Sequence, residues 1–204
     1  MAGSDTRATI LAAARTSVLR DGFAALSTRK VADEAGVPQS QIHYHFGTRE
    51  QLVLSVLEAE DASLVARQAA LYAGDEPLSA QWARACDYLD DDLDSGYVRI
   101  LHEMMAAGWS TEVVGERVRR VYDGWTTVLT DAAERASARG IRFGGLTPAE
   151  VATLVGAAFV GAEAMILSGT EGPTRPFRDA LRAIGRLIAA EEARLAALEA
   201  EVGS

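Results

Sequence analysis

One cysteine, Cys86, stands alone in 204 residues. A lone thiol excludes a disulfide within the chain and suits a reducing cytosol. No apolar run of about 18 residues goes uninterrupted by charge, so no membrane span and no membrane partner are expected. The opening MAGSDTRATI lacks a basic segment followed by an apolar one, so no secretion signal is expected and the protein is placed in the cytoplasm. No Gly- or Ser-rich linker, internal repeat or low-complexity tract divides the chain. The G-x-S-x-G elbow, the nucleotide-binding glycine loop and zinc-ligand spacings are absent as well. No catalytic residue, metal site or cofactor is therefore expected. What is present is apolar: 49% of residues are hydrophobic, enough for a sizeable core.

The stretch 26–52, LSTRKVADEAGVPQSQIHYHFGTREQL, carries the densest information. Ser27 or Thr28 can cap a short helix through its hydroxyl. Val31, Ala32 and Ala35 fall on one face of that helix. Gly36 stops it, at a place where positive φ suits glycine. Pro38 fits the first position of a second short helix, since its missing N–H needs no partner there. Ile42 and Phe46, four apart, form that helix's buried side. Ser40 and Tyr44 then lie opposite, Gln41 and His43 at the flanks, and Gln39 and His45 nearer the edge. A face of amides, hydroxyls and imidazoles has little use in a core but suits base edges and phosphates. Arg29 and Lys30, just upstream, can reach phosphates or a guanine. Thr48-Arg49-Glu50-Gln51 reads as a T-x-x-Q capping box. The helix N-terminus it opens, with Arg49 beside it, suits a phosphate.

These residues resemble the DNA-binding domain of the TetR family of transcriptional regulators. The likeness rests on Ser27 to Ala32, Ala35-Gly36-Val37, Ile42 to Phe46 and Thr48 to Leu52. Two positions depart from the family pattern: Arg49 stands where lysine is common, and His43 where tyrosine is usual. The resemblance implies an all-α chain in two parts. An N-terminal three-helix helix-turn-helix domain would span 1–47, and a helical ligand-binding and dimerisation domain 48–204. The DNA-contact set is then Thr28, Arg29, Lys30, Gln39, Ser40, Gln41, His43, Tyr44, His45, Thr48 and Arg49.

The net charge of −9 counts against nucleic acid at first sight, but its distribution matters more. Residues 1–50 hold six basic and five acidic side chains, whereas the remainder holds 14 basic and 24 acidic. The head is less repelled by DNA than the body, and binding should rest on specific contacts and fall with salt.

Before the motif, Ile10, Leu11, Ala14 and Val18 predict the inward face of a helix near 6–20. Phe23, Val31, Val37, Ile42 and Phe46 are the expected core of the head. A longer helix is expected from Thr48 to Tyr72, linking head to body, with a break at 73–77. Further helices are expected near 78–93, 97–108 and 111–139. Asp87, Asp90, Asp91, Asp92 and Asp94 read as a solvated acidic face. Thr147-Pro148-Ala149-Glu150 is a second capping box, opening a nearly uncharged helix to about Ser168 that should be buried on most sides. A last apolar-striped helix follows Gly172 to Pro176, and residues 199–204 are expected to fray.

The last two helices could pair with their symmetry mates as a four-helix interface, or be ordinary core. The residues assigned to pairing are Val155, Gly156, Phe159, Phe177, Leu181, Ile184 and Ile188. Trp82, His102, Met105, Trp109, Tyr122, Trp125, Phe159 and Glu163 are assigned to a ligand pocket, whose large rings suit an apolar or aromatic small molecule. The expected function is a homodimeric regulator, most simply a repressor. It would bind near-palindromic double-stranded operator DNA and be released by a small-molecule effector. The competing expectation is an all-helical binder or enzyme whose short helices no longer bind DNA.

Overall fold

The structure is a computed structural model and describes residues 2–202. Among them it forms nine helices and no strand. These are α1 (Ala2–Asp21), α2 (Thr28–Ala35), α3 (Gln39–Phe46), α4 (Arg49–Ala73), α5 (Leu78–Ser95), α6 (Tyr97–Gly108), α7 (Glu112–Ala138), α8 (Pro148–Leu167) and α9 (Pro176–Val202). Glu199 to Val202 continue the last helix, and the rest of the end expected to fray lies outside the described residues. The chain forms two compact units. One holds residues up to Leu64 together with Asp94–Val121; the other holds Val65–Leu93 and Tyr122 onward.

In the first unit, α1 packs on α2 and α6, and α2 packs on α3. Ile10, Val18, Val31 and Ile42 have no exposed surface. Phe46 is nearly buried, with the Arg7 guanidinium 5.1 Å from its ring centre. Phe23 and Val37, expected in this core, are only half-buried. Polar bonds tie the other elements on. Arg15 Nε donates to Glu60 Oε1 at 2.7 Å, joining α1 to α4. The Tyr97 hydroxyl donates to Asp61 at 2.7 Å, joining α6 to α4. Arg99 donates to the Leu19 carbonyl at 2.9 Å, and Glu103 accepts from the Phe23 N–H. Helix α6 therefore grips the turn between α1 and α2. Helices α6 and α7 meet at two glycines: a Cβ on Gly115 would lie 2.8 Å from the Gly108 carbonyl oxygen.

In the second unit, α5 is clamped to α9. Trp82 Nε1 donates to the Leu181 carbonyl at 2.8 Å, Arg178 bonds Asp90 at 2.6 Å, and Arg182 bonds Asp87 at 2.9 Å. Asp92 is buried and receives Arg67 of α4 at 2.8 Å. The acidic face expected to be solvated is thus largely spent on arginines. Burial raises the Asp92 carboxyl above its usual range, outweighing the Arg67 bond that lowers it.

The two expected capping boxes form to different extents. At Thr147 the box is complete: its Oγ1 accepts from the Glu150 N–H at 3.3 Å, and the Glu150 carboxylate accepts from the Thr147 N–H at 2.8 Å. At Thr48 only half forms. Its Oγ1 accepts from the Gln51 N–H at 3.1 Å, but its own N–H is already given to the Phe46 carbonyl.

Helix α8 differs from expectation in its burial. Of its residues only Ala152 and Ala162 are buried, so it is not a helix enclosed on most sides. Leu154, Ala157, Ala158, Gly161 and Met165 form a continuous exposed apolar strip at helical spacing. By length and composition α8 is also apolar enough to cross a bilayer, with mean hydropathy 1.7, because Glu150 and Glu163 are its only charges. Glu163 interrupts its apolar run, as read from the sequence.

Candidate nucleic-acid interface

The head presents α3 outward. Its register follows from two buried anchors, Ile42 at 0% exposure and Phe46 at 7%. The same register turns Gln39, Ser40, His43 and Tyr44 to solvent, with Tyr44 81% exposed. An exposed phenol on a helix of eight residues contributes little to folding. Helix α2 supports this arrangement. Gly36 takes φ 66°, and the N–H groups of Gly36 and Val37 close the helix on the Asp33 and Ala32 carbonyls. The turn brings Thr28 close enough for its Oγ1 to accept from Gln39 Nε2 at 3.2 Å.

Two local expectations are corrected. The Ser27 hydroxyl sits at the cap of α2 but makes no side-chain cap bond. Pro38 is the cap of α3 rather than its first helical residue, with extended ψ of 141°. A residue preceding the helix still positions the chain by its fixed φ, so Pro38 sets the entry without lying inside.

The structure places the remaining contact candidates as follows. Arg29 and Lys30 are exposed at the start of α2, and Thr48 is exposed ahead of α4. Gln41 is half-buried at the flank. His43 Nδ1 is 3.0 Å from the Gly47 carbonyl; since that oxygen only accepts, Nδ1 donates. His45 is half-buried, its ring edge-on to Tyr44 at 4.9 Å. Arg49 is committed within the head: its guanidinium lies 4.6 Å from the Phe23 ring centre, bonds Glu50 at 3.2 Å and donates to the Ala24 carbonyl at 3.3 Å. Arg49 thus has a structural use within the head.

Sequence comparison gives a match to the bacterial regulatory proteins of the tetR family over residues 10–56. That span covers the face just described, together with its supporting helices. Over that span the head is similar to the tetR family of bacterial regulatory proteins. Solved structures agree in fold along nearly the whole chain. A Rhodococcus sp. protein assigned to TetR-family transcriptional regulators superposes with TM-score 0.75 at 24% identity, over 91% of this chain and 98% of its own. A TetR-family transcriptional regulator from Agrobacterium tumefaciens gives 0.74 at 20%, over 92% and 98%. The SmeT–triclosan complex gives 0.71 at 17%, over 89% and 90%. No curated protein matches the chain in sequence.

Outside its head, the chain distributes the sequence-assigned pocket residues between its units. His102, Met105 and Trp109 belong to the first; Trp82, Tyr122, Trp125, Phe159 and Glu163 belong to the second. Trp109 is 80% exposed, at the turn that ends α6. Trp82 is buried, with Phe159 edge-on at 5.6 Å. Burial pushes the Tyr122 hydroxyl up to about 12, helped by the Glu163 carboxylate. It likewise pushes the Cys86 thiol up to about 11, as befits an inert core thiol.

The second unit also contains an apolar groove of about 400 Å³. Of the sequence-assigned walls only Trp82 borders it. Val155, Ile184 and Ile188, assigned to pairing, line it instead. Leu181 is 4% exposed within the chain, so its assignment to pairing with a second copy is corrected. Gly156, Phe159 and Phe177 are half-buried. Sequence reasoning missed Tyr72, Leu129 and Ala152, whose apolar character had no distinguishing pattern beyond helical spacing.

Proposed function

We propose that the protein is a DNA-binding transcriptional regulator that acts as a homodimer and responds to a small-molecule effector, with residues 1–47 as the DNA-contacting domain and 48–204 as the responding one. The observation carrying this reading is the outward face of α3: Gln39, Ser40, His43 and Tyr44 exposed, over buried Ile42 and Phe46, inside the family-matched head. That face enters the major groove. Gln39 and Arg29 read base edges, with Ser40, Gln41 and His43 beside them. Thr28, Lys30, Tyr44, His45, Thr48 and Arg49 contact the backbone and fix register. A reader of this kind works where DNA is, in the cytoplasm.

The exposed apolar strip on α8 supports a second copy, since single-sided apolar helices seek a partner. Two heads in a symmetric dimer meet half-sites about 34–36 Å apart, or a multiple of a helical turn. Repression is the simplest sign of regulation: the dimer occupies an operator until an effector stabilises a conformation with different spacing. A coupling of about 1–3 kcal/mol is enough for such release. The triclosan bound by the similar fold supports an effector of this size for this chain.

The test is selection of bound duplexes from a random pool at moderate salt, with the Arg29→Ala/Tyr44→Ala double variant as control. The parent should enrich one inverted repeat and the control none. Failure of the folded parent to enrich any sequence would reject DNA reading and favour the helical small-molecule binder.

A further inference from the structure

We infer that Glu103 of α6 is a positioning residue for DNA reading: with Arg99 it holds the turn from α1 into α2, and through that turn it sets the helices that face DNA. This deepens the proposed function and rests on it for the DNA. It gives the reader a side chain from well outside residues 1–47. Asp94–Val121 belong to the same compact unit as the head, so α6 is built onto it.

The chemistry begins at the end of α1. A helix leaves its last carbonyls without partners inside the helix. The Gly22 N–H returns to the Val18 carbonyl at 2.8 Å, and Gly22 takes φ 80°, which turns the chain out of the helix. The next two groups are met from α6. Arg99 donates to the Leu19 carbonyl at 2.9 Å, and the Glu103 carboxylate accepts from the Phe23 N–H, 80 residues away in sequence. Arg99 and Glu103 are four apart on α6, and Arg99 Nε lies 3.0 Å from Glu103 Oε1. One carboxylate oxygen is thus held by Arg99 while the other, Oε2, serves the turn. A hydrogen bond to a carboxylate is roughly twice as strong as one between neutral groups. Gly22 keeps the approach open: a Cβ there would lie 3.4 Å from Glu103 Oε2.

The turn leads directly to the reading face. On its other side Arg49 of α4 donates to the Ala24 carbonyl at 3.3 Å and lies over the Phe23 ring. Leu26 is buried, and Thr28 opens α2. Thr28 accepts from Gln39 of α3, and Arg29 and Lys30 follow it. A turn clamped between α4 and α6 therefore fixes where α2 starts. Hydrogen bonds to base edges tolerate little displacement, whereas attraction to phosphates is sequence-independent and tolerates more. Loosening the turn should accordingly weaken sequence-specific binding and spare non-specific binding.

The experiment uses the full-length protein, the inverted repeat that the parent enriches from the random duplex pool, and a scrambled duplex of the same length. Glu103→Ala should bind the repeat about tenfold more weakly. Its affinity for the scrambled duplex should stay within about twofold of the parent's. Glu103→Gln keeps an oxygen acceptor for the Phe23 N–H and should recover most of the loss. Arg99→Ala carries the same prediction independently, and the double variant should lose about as much as the larger single loss, because the two side chains act as a unit. Circular dichroism and melting establish that each variant is folded. Hydrogen exchange across residues 22–26 should quicken in Glu103→Ala and stay near parental in Glu103→Gln. Parental affinity for the repeat in folded Glu103→Ala would overturn the inference. So would equal losses on the repeat and the scrambled duplex, or unaltered exchange at 22–26. A folded parent that enriches no repeat rejects DNA reading and this role with it; enrichment by the parent with an indifferent Glu103→Ala rejects only the role of Glu103.

Discussion

At the scale of single residues, the charged side chains make the sharpest predictions. Asp92 is buried, and its charge is met by Arg67, whose guanidinium also lies 4.0 Å from the Tyr88 ring centre. Arg67→Ala removes both guanidinium bonds while leaving the carboxyl in place. Breaking a buried pair from one side costs about 3–5 kcal/mol, and a pair this near the surface belongs at the lower end. Urea unfolding should show a loss of about 3 kcal/mol, and a loss below about 1 kcal/mol would mean that water reaches Asp92. Glu191 behaves in the opposite sense. The Arg194 bond, then the Arg142 N–H, holds its carboxyl down to about 2, against an ordinary 4.5. A depressed carboxyl contributes stability above its unfolded pKa and loses it as pH falls through the folded value. The parent should therefore lose more stability than Glu191→Gln between about pH 4.5 and about 2, read from urea midpoints across that window. Parallel curves would show that the carboxylate's bonds do not persist in solution.

At the scale of helices, boundaries were largely legible because the signals that end a helix are local. Gly36, Pro77, the Ser95-Gly96 break and Thr147-Pro148 each interrupt a helical pattern at the place where the structure does. The outward face of α3 was legible for the same reason: Ile42 and Phe46 fix the rotation of the helix, and every neighbour's exposure follows. Contacts between remote helices were not. The arginines that neutralise Asp87 and Asp90 sit on α9, about ninety residues away, and no local pattern announces the pairing. The groove draws on five helices, so its residues share no spacing. The α6–α7 crossing is of this kind too, and it yields a prediction. Gly115→Ala would set a methyl carbon 2.8 Å from the Gly108 carbonyl oxygen, a backbone atom that cannot rotate away. Helix propensity alone favours alanine by about 1 kcal/mol. The clash should reverse that sign and destabilise by about 1–3 kcal/mol. A raised melting temperature in Gly115→Ala would show that the two helices can slide apart at no cost.

At the scale of the whole molecule, the question is what covers α8. Its exposed strip is made of Leu154, Ala157, Ala158, Gly161 and Met165, and small residues in its middle allow a second helix to approach closely. Gly161 is the informative position. A Cβ built there meets nothing within 4 Å, so a side chain does no harm to the single chain. Lysine is also a far better helix former than glycine, so Gly161→Lys should leave the isolated subunit at least as stable. In a symmetric dimer the same change enters twice, facing a close-packed apolar surface with no counter-charge. A lone buried charge costs about 3 kcal/mol or more, hence about 6 kcal/mol per dimer and a dissociation constant raised about 10⁴-fold. Sedimentation should find the parent dimeric and Gly161→Lys monomeric, with circular dichroism unchanged. On the proposed function, operator affinity should collapse with it although the outward face of α3 is intact, because one head alone would hold one half-site. Gly161→Ala supplies the control: a methyl group should preserve the dimer or weaken it only slightly. If Gly161→Lys stays dimeric and binds its operator undiminished, α8 does not form the pairing surface, and its apolar strip requires another occupant.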